Sequence, residues 1–219
     1  MDKRTRDDEI IRDILTRVDE AEHLNQRTLA KELGIALGMA NAYLKRCVRK
    51  GYIKVSQIPP NRYAYYLTPQ GFSEKTRLTA EFLTDSFSFF RRARTQYADI
   101  YRDCERHGWR NVAIAGTSEL ADIAVLYAGE FDIELTGVIE PAMQGEQFHG
   151  LQIVAEPTDL NAFDAVVLAQ IQAPQSVYDA LLTVVPAARV LVPPLLPVTL
   201  ADASVGGGAV NAADEGAAL

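Results

Sequence analysis

Residues 27–55, RTLAKELGIALGMANAYLKRCVRKGYIKV, set out a helix, a one-glycine turn and a second helix. Ala30, Leu33 and Ile35, together with Tyr43 or Leu44 and with Val48, supply an apolar seam on which the two helices pack. Gly34 sits where the chain needs a left-handed backbone that a residue with a Cβ resists. The first helix is expected from an Asn25 N-cap through Leu33. The second runs from about Leu37 to Lys50, where Gly51 stops it with Arg49 and Lys50 in its last turn.

Outward from this stretch, residues 7–20 carry Ile10, Ile11, Ile14, Leu15 and Val18 at helical spacing, with Asp7, Asp8 and Glu9 at the favourable end of the helix dipole. On the other side lie two alternating segments, YIKVSQ at 52–57 and RYAYYLT at 62–68, joined by the turn-forming Ile-Pro-Pro-Asn. Three helices followed by a β-hairpin is the order of a winged helix. The outward face of the second quoted helix presents Gly38, Met39, Asn41, Ala42, Lys45 and Arg46. Asn reads adenine bidentately, Arg or Lys reads guanine, and small residues let the backbone approach a groove. Lys45, Lys50 and Arg27 suit phosphates, which fix register without reading sequence. Asn61 and Arg62, at the hairpin tip, are placed to enter an adjacent minor groove.

A net charge of −7 opposes such a partner only on average. Of 22 Lys and Arg, 21 lie in residues 1–110 against 15 of the 29 acids, so the two halves carry +6 and −13. Between 27 and 62 there are eight basic residues and one acid, Glu32. The positive field is therefore local, as a face for double-stranded DNA requires. A protein-interaction module is the bland alternative for the same fold.

The residues also resemble the MarR-like winged-helix regulators associated with exopolysaccharide gene clusters. The resemblance is carried by Asn25-Gln26-Arg27-Thr28-Leu29-Ala30, Glu32-Leu33-Gly34-Ile35, Leu37-Gly38-Met39-Ala40-Asn41 and Lys50-Gly51-Tyr52-Ile53-Lys54. It continues through Tyr65-Tyr66-Leu67-Thr68-Pro69-Gln70-Gly71 and Glu74-Lys75-Thr76-Arg77-Leu78-Thr79, covering roughly residues 8–100. It implies a DNA-binding transcription regulator and an association with polysaccharide genes. Ala36 departs from the pattern, standing where such helices start with a capping Ser or Thr.

Thr68-Pro69 opens a helical stretch to about His107, with Leu78, Phe82, Leu83, Phe87, Phe90, Tyr97, Ile100 and Tyr101 recurring at three- and four-residue steps. A stripe so long and aromatic asks for a partner; it is either the underside of the winged domain or the interface of a homodimer, and the homodimer is the expectation. From Asn111 the grammar changes to alternating strands and helices: strands at Val112–Ala115, Ile133–Ile139, Gln152–Ala155, Asp164–Ala169 and Arg189–Val192, helices at 119–128 and 175–184. This predicts a small Rossmann-like parallel sheet, so the chain is α/β overall: a winged helix-turn-helix at 1–70, a helical connector for dimerisation at 71–109, the α/β domain at 110–200 and a disordered tail at 201–219.

In that domain Gly116, Thr117, Ser118 and Glu119 form a strand-to-helix turn whose free amides suit an anion, and Glu140 ends the second strand where an acid would hold a ribose hydroxyl. Ser118 and Ala121 replace the later glycines of a dinucleotide-binding turn, which opposes ordinary NAD binding. The stretches Gly137–Glu140, Phe148–Val154 and Phe163–Val167 resemble the small domain of sugar-nucleotide acyltransferases and CoA-binding proteins. That resemblance implies a nucleotide or nucleotide-sugar effector, with no certain cofactor. Three readings stay open: an effector sensor, a purely structural or dimerising domain in a constitutive DNA-binding scaffold, and a nucleotide-sugar enzyme with an accessory winged helix.

Catalysis has little support. His23, His107 and His149 are scattered, without metal-ligand spacing, and Ser118 lacks the second glycine of a nucleophile elbow. Cys47 and Cys104 lie far apart and are expected as reduced, buried thiols. No apolar run reaches the roughly 20 residues of a membrane helix, and the charged N-terminus does not read as a secretory signal. The expectation is a cytoplasmic regulator with no membrane partner.

Overall fold

The computed structural model describes residues 3–20, 24–58 and 62–201, apart from the side chains of 3, 4, 57, 58 and 62. His23, Asn61 and the expected tail from 202 onward lie outside the described residues. The chain divides into two compact units, residues 1–88 and 89–219.

The first unit follows the order read from the sequence: α1 (Lys3–Glu20), α2 (Gln26–Glu32), α3 (Leu37–Arg49), β1 (Ile53–Ile58), β2 (Arg62–Leu67) and the start of α4 (Pro69–His107). Asn25 caps α2, its side-chain oxygen accepting the Thr28 amide at 2.8 Å. Gly34 turns the chain at φ +60° and Gly51 at +74°. One core gathers Ile11, Ile14, Leu15 and Val18 of α1 with Leu29, Leu44, Cys47, Ile53 and Leu78. Each fully buried Leu or Ile contributes about 1.5–3 kcal/mol of hydrophobic burial. On α3 the buried positions are Ala40, Leu44 and Cys47, one helical face at steps of four and three. Val48, expected in the seam, is instead 36% exposed, because Cys47 occupies the inward position one step earlier. Leu44 is buried in the core, and Tyr43 packs against its edge, partly buried.

The hairpin pairs Ile53 with Leu67, Val55 with Tyr65 and Gln57 with Tyr63. One strand face therefore runs from buried Ile53 at its root to Tyr63, 57% exposed, near its tip. The exit into α4 is a fastened corner. The Thr68 hydroxyl accepts the Gly71 amide at 3.0 Å and donates to the Gly51 carbonyl at 2.6 Å, while Pro69 takes the first helical position. Gly71 passes so near Tyr52 that a Cβ there would lie 2.0 Å from the Tyr52 carbonyl oxygen.

Helix α4 is unbroken over 39 residues and contributes to both units. Leu78 belongs to the first core; Ala93, Tyr97, Tyr101 and Cys104 belong to the second. Between them Phe82, Leu83, Phe87 and Phe90 stay exposed, Phe87 most at 59%. The aromatic stripe thus divides into two anchored ends and a partly exposed middle, in which Arg12 lies 3.9 Å over the Phe82 ring and Phe90 meets Tyr127 edge-on.

The second unit consists of the end of α4, β3 (Asn111–Ala115), α5 (Glu119–Ala128), β4 (Glu134–Ile139), β5 (Gln147–Phe148), β6 (Leu151–Val154), β7 (Ala165–Leu168), α6 (Pro174–Leu182) and β8 (Val190–Leu191). The sheet order is β5-β6-β4-β3-β7-β8, with every pairing parallel except β5 to β6. The chain moves one way from β3 to β4 and the other way to β7, which makes β3/β7 the point where strand order reverses. The antiparallel β5 departs from the all-parallel sheet expected. Its two residues are too few to show a period, and the turn that folds it back uses positive φ at His149 (+49°) and Gly150 (+80°).

Tyr97 donates its buried hydroxyl to the Leu168 carbonyl at 3.1 Å and Tyr101 to the Ala124 carbonyl at 2.9 Å. Burial pushes both phenols above their ordinary range. At the sheet's opposite end, Asp164 accepts the backbone amides of Arg110 and Asn111, both at 2.9 Å, which holds its carboxyl below the usual carboxylate range. Cys47 and Cys104 are free and buried, and burial raises their thiols to about 11 and about 12. No helix among the described residues is long and apolar enough to cross a membrane.

Candidate nucleic-acid interface

With Ala40, Leu44 and Cys47 turned inward, the 100° step of a helix brings Gly38, Ala42, Lys45 and Arg49 to the opposite face. All four are exposed. Gly38 and Ala42 form a bare strip one turn apart, and space around Gly38 is open to beyond 4 Å. Lys45 and Arg49 continue the strip with cations. Arg49 was not among the base or phosphate contacts read from the sequence. Treating Ala40 and Cys47 as the inward face would have revealed it.

Between this face and the overhanging hairpin lies an open groove of about 780 Å³, lined by Asn41, Lys45, Val48, Arg49, Val55 and Tyr63 among others. Gln26 of α2 fixes its far wall by donating to the Tyr65 hydroxyl at 3.0 Å. Val48, unexpectedly outward, is part of the apolar floor. Asn41 lies beside it, half-buried, and its Oδ1 is buried without a hydrogen-bond partner among the described residues. Bidentate reading of adenine uses both ends of an amide, and the buried Oδ1 of Asn41 is not presented for it in this conformation.

The remaining expected contacts separate. Arg27 is exposed in the first turn of α2, and Lys50 is exposed at the end of α3 with its ammonium 5.5 Å from the centre of the Tyr52 ring. Met39 is 41% exposed on the flank of α3. Arg46 lies on the same flank, and its guanidinium is 3.0 Å from Asp7 of α1. The Tyr43 hydroxyl donates to the other oxygen of that carboxylate. Asp7 raises both partners, the phenol by accepting its hydrogen bond and the guanidinium by charge-assisted pairing. Arg62 opens β2, and Asn61 lies outside the described residues. Ala36 is in N-cap geometry with no side-chain bond to the helix.

The carboxyl ends of β3, β4 and β7 bring together the other expected set. Gly116 has φ +107° and packs against Gln170, whose backbone would lie 3.0 Å from a Cβ there. Ser118 caps α5, accepting from the Leu120 amide at 3.3 Å and donating to the Ala169 carbonyl at 2.6 Å. Glu119 opens α5 and is exposed. Thr117 lies 3.5 Å from the Met143 sulfur. Glu140 receives the Gln170 side-chain amide at 3.0 Å and the Ala142 amide at 3.4 Å. Gly116 ends β3 at the strand-order reversal, Glu140 ends the neighbouring β4, and the Gln170 side chain bonds Glu140 from the β7 side. His149 stands apart from this bond, its Nε2 2.6 Å from Asp122. Among the described residues no cluster of His, Cys, Asp or Glu is arranged to hold a metal ion.

Three helices, a two-stranded wing and a cationic outward helix face define a DNA-binding domain of the winged helix-turn-helix class. The family model for winged helix-turn-helix DNA-binding matches residues 7–54, from the first helix into the first strand of the wing. None of the curated proteins compared matches the chain.

Proposed function

We propose that this chain is a dimeric, cytoplasmic transcription regulator whose second unit answers to a nucleotide or nucleotide-sugar effector. The observation that carries the DNA-binding role is the outward strip Gly38-Ala42-Lys45-Arg49 beside the groove under the wing. Its small residues admit the helix into a major groove, and its cations reach the phosphates on either side. Dimerisation draws its support from the exposed middle of α4, where Leu83 and Phe87 stand open on one continuous helix. Control of polysaccharide genes rests on the sequence resemblance.

The effector reading rests on Gly116 and the α5 N-terminus at the strand-order reversal, where open α/β sheets bind ligands, with Glu140 at the end of the neighbouring β4. The Gln170–Glu140 bond favours a second reading, in which the second unit is a structural or dimerising body with its crevice filled by its own side chains. A thermal-shift series with nucleotides, CoA and nucleotide-sugars separates the two. A ligand at 100 times its Kd adds about 2.7 kcal/mol to stability. A shift that Q170A enlarges supports the effector, turnover of the shifting ligand would indicate an enzyme, and no shift with any ligand favours the structural body.

The DNA role is tested by titrating labelled duplex from the chain's own upstream region at several salt concentrations. Affinity that falls steeply with salt supports it. Sedimentation of the native chain and of F87E tests the dimer: a native dimer that F87E splits is the expected result.

A further inference from the structure

We propose that Asp7 is a specificity-determining residue that withholds Arg46 from DNA and so limits sequence-independent binding. The proposal rests on the DNA-binding reading above. Its basis is the pair of contacts from one carboxylate to two positions, three residues apart, on the recognition helix. Oδ2 lies 3.0 Å from Arg46, and Oδ1 accepts from the Tyr43 hydroxyl. A carboxylate so held presents to the guanidinium what a DNA phosphate would present: anionic oxygens at charge-assisted distance. Asp7 therefore competes for Arg46 from within the chain.

The placement agrees with this. Lys45 and Arg49 stand on the outward face of α3, whereas the helical step places Arg46 on its flank, where it reaches α1. The side chains of Arg46 and Asp7 are 39% and 26% exposed, so the pair lies at the surface, where a polyanion can approach it. That approach also brings phosphates toward the Asp7 charge, which adds repulsion to the loss of the internal pair. A penalty built into the protein in this way weakens every duplex that offers nothing in compensation.

The test compares the native chain, D7N, R46A and D7N/R46A for binding to the upstream duplex and to a scrambled duplex, between roughly 50 and 200 mM salt. D7N keeps the shape of the side chain and an acceptor for Tyr43 while removing the charge. Releasing Arg46 to a phosphate should steepen the slope of log K against log salt by about 0.9 and raise affinity about eightfold at 0.1 M salt, for scrambled duplex as well. R46A in the native background should change the slope by much less than about 0.9, the uncovered Asp7 charge lowering affinity only modestly, and in the D7N background should cancel the gain.

A slope that drops by about 0.9 for R46A alone would show Arg46 already on DNA and overturn the proposal. So would D7N binding with native slope and affinity. Should D7N melt early, the R46A arm decides by the same rule. Absence of salt-dependent binding in every variant overturns the DNA-binding reading itself, and this proposal with it.

Discussion

Replacing Ala36 by serine should stabilise the first unit, and the structure says by how much. Ala36 has φ −62° and ψ 142°, the extended geometry of an N-cap, and its carbonyl already accepts from Met39 at 2.9 Å and Ala40 at 3.0 Å. The Leu37 and Gly38 amides precede the first intrahelical bond, so the helix leaves them to water. A serine hydroxyl at position 36 adds one oxygen to an exposed Cβ and lies within reach of that first turn. No atom has to move and no cavity is made. The expected gain is the ordinary value of a cap, about 1 kcal/mol. For a unit of this size that corresponds to a rise of about 4–8 °C in the midpoint of its thermal transition. Calorimetry of the full chain, with urea melts at fixed slope as a cross-check, measures it. A36V, which has no acceptor, should show no gain. A36S at or below native stability, or A36V rising equally, would refute the capping argument.

Gly71→Ala should be among the most damaging single-methyl changes in the first unit, because its Cβ meets the Tyr52 backbone at 2.0 Å and the Leu67 side chain at 2.9 Å. Loss of about 1–3 kcal/mol by urea melt is expected, and a neutral result would mean that the α4 corner yields freely. Asp164, whose carboxyl is lowered chiefly by the Asn111 and Arg110 amides, contributes stability that is present above the unfolded carboxylate range and lost as pH falls through the folded value. The native advantage over D164N should therefore be full near neutral pH and should shrink below about pH 4. An advantage that grows on acidification would contradict the sign.

Much of the fold was legible because its punctuation is chemically strict. Asn25, Gly34, Gly51 and Pro69 each sit where a cap, a left-handed turn or a first helical turn demands that residue type. The alternation of buried strands with helices after Asn111 announced the sheet for the same reason. What escaped notice depended on contacts distant in sequence. Val48 and Cys47 are adjacent apolar residues, and only the packing of α1 and α2 decides which one is buried. Once Cys47 is inward, Val48 and Arg49 become part of the exposed side of α3 proposed to face DNA. Asp7 read as a favourable charge at a helix start, and its bonds across 36 and 39 residues to Tyr43 and Arg46 leave no local signature. Likewise Gln170 carries no motif, yet it packs against Gly116 and bonds Glu140, the residues that the turn pattern reserves for a ligand. The partly exposed aromatic middle of α4 could be seen as a stripe but not as a division into anchored and exposed parts, because that depends on where each core ends.

The central claim is that the face of α3 bearing Lys45 and Arg49 meets DNA phosphates beside a groove under the wing. The most direct measurement is the salt dependence of duplex binding for the native chain against K45A and R49A, with thermal melts to verify folding. Each substitution should weaken binding to the upstream and scrambled duplexes alike and reduce the slope of log K against log salt by about 0.9. Native slopes in both variants, with folding intact, would show that this face does not meet the duplex and would contradict the account.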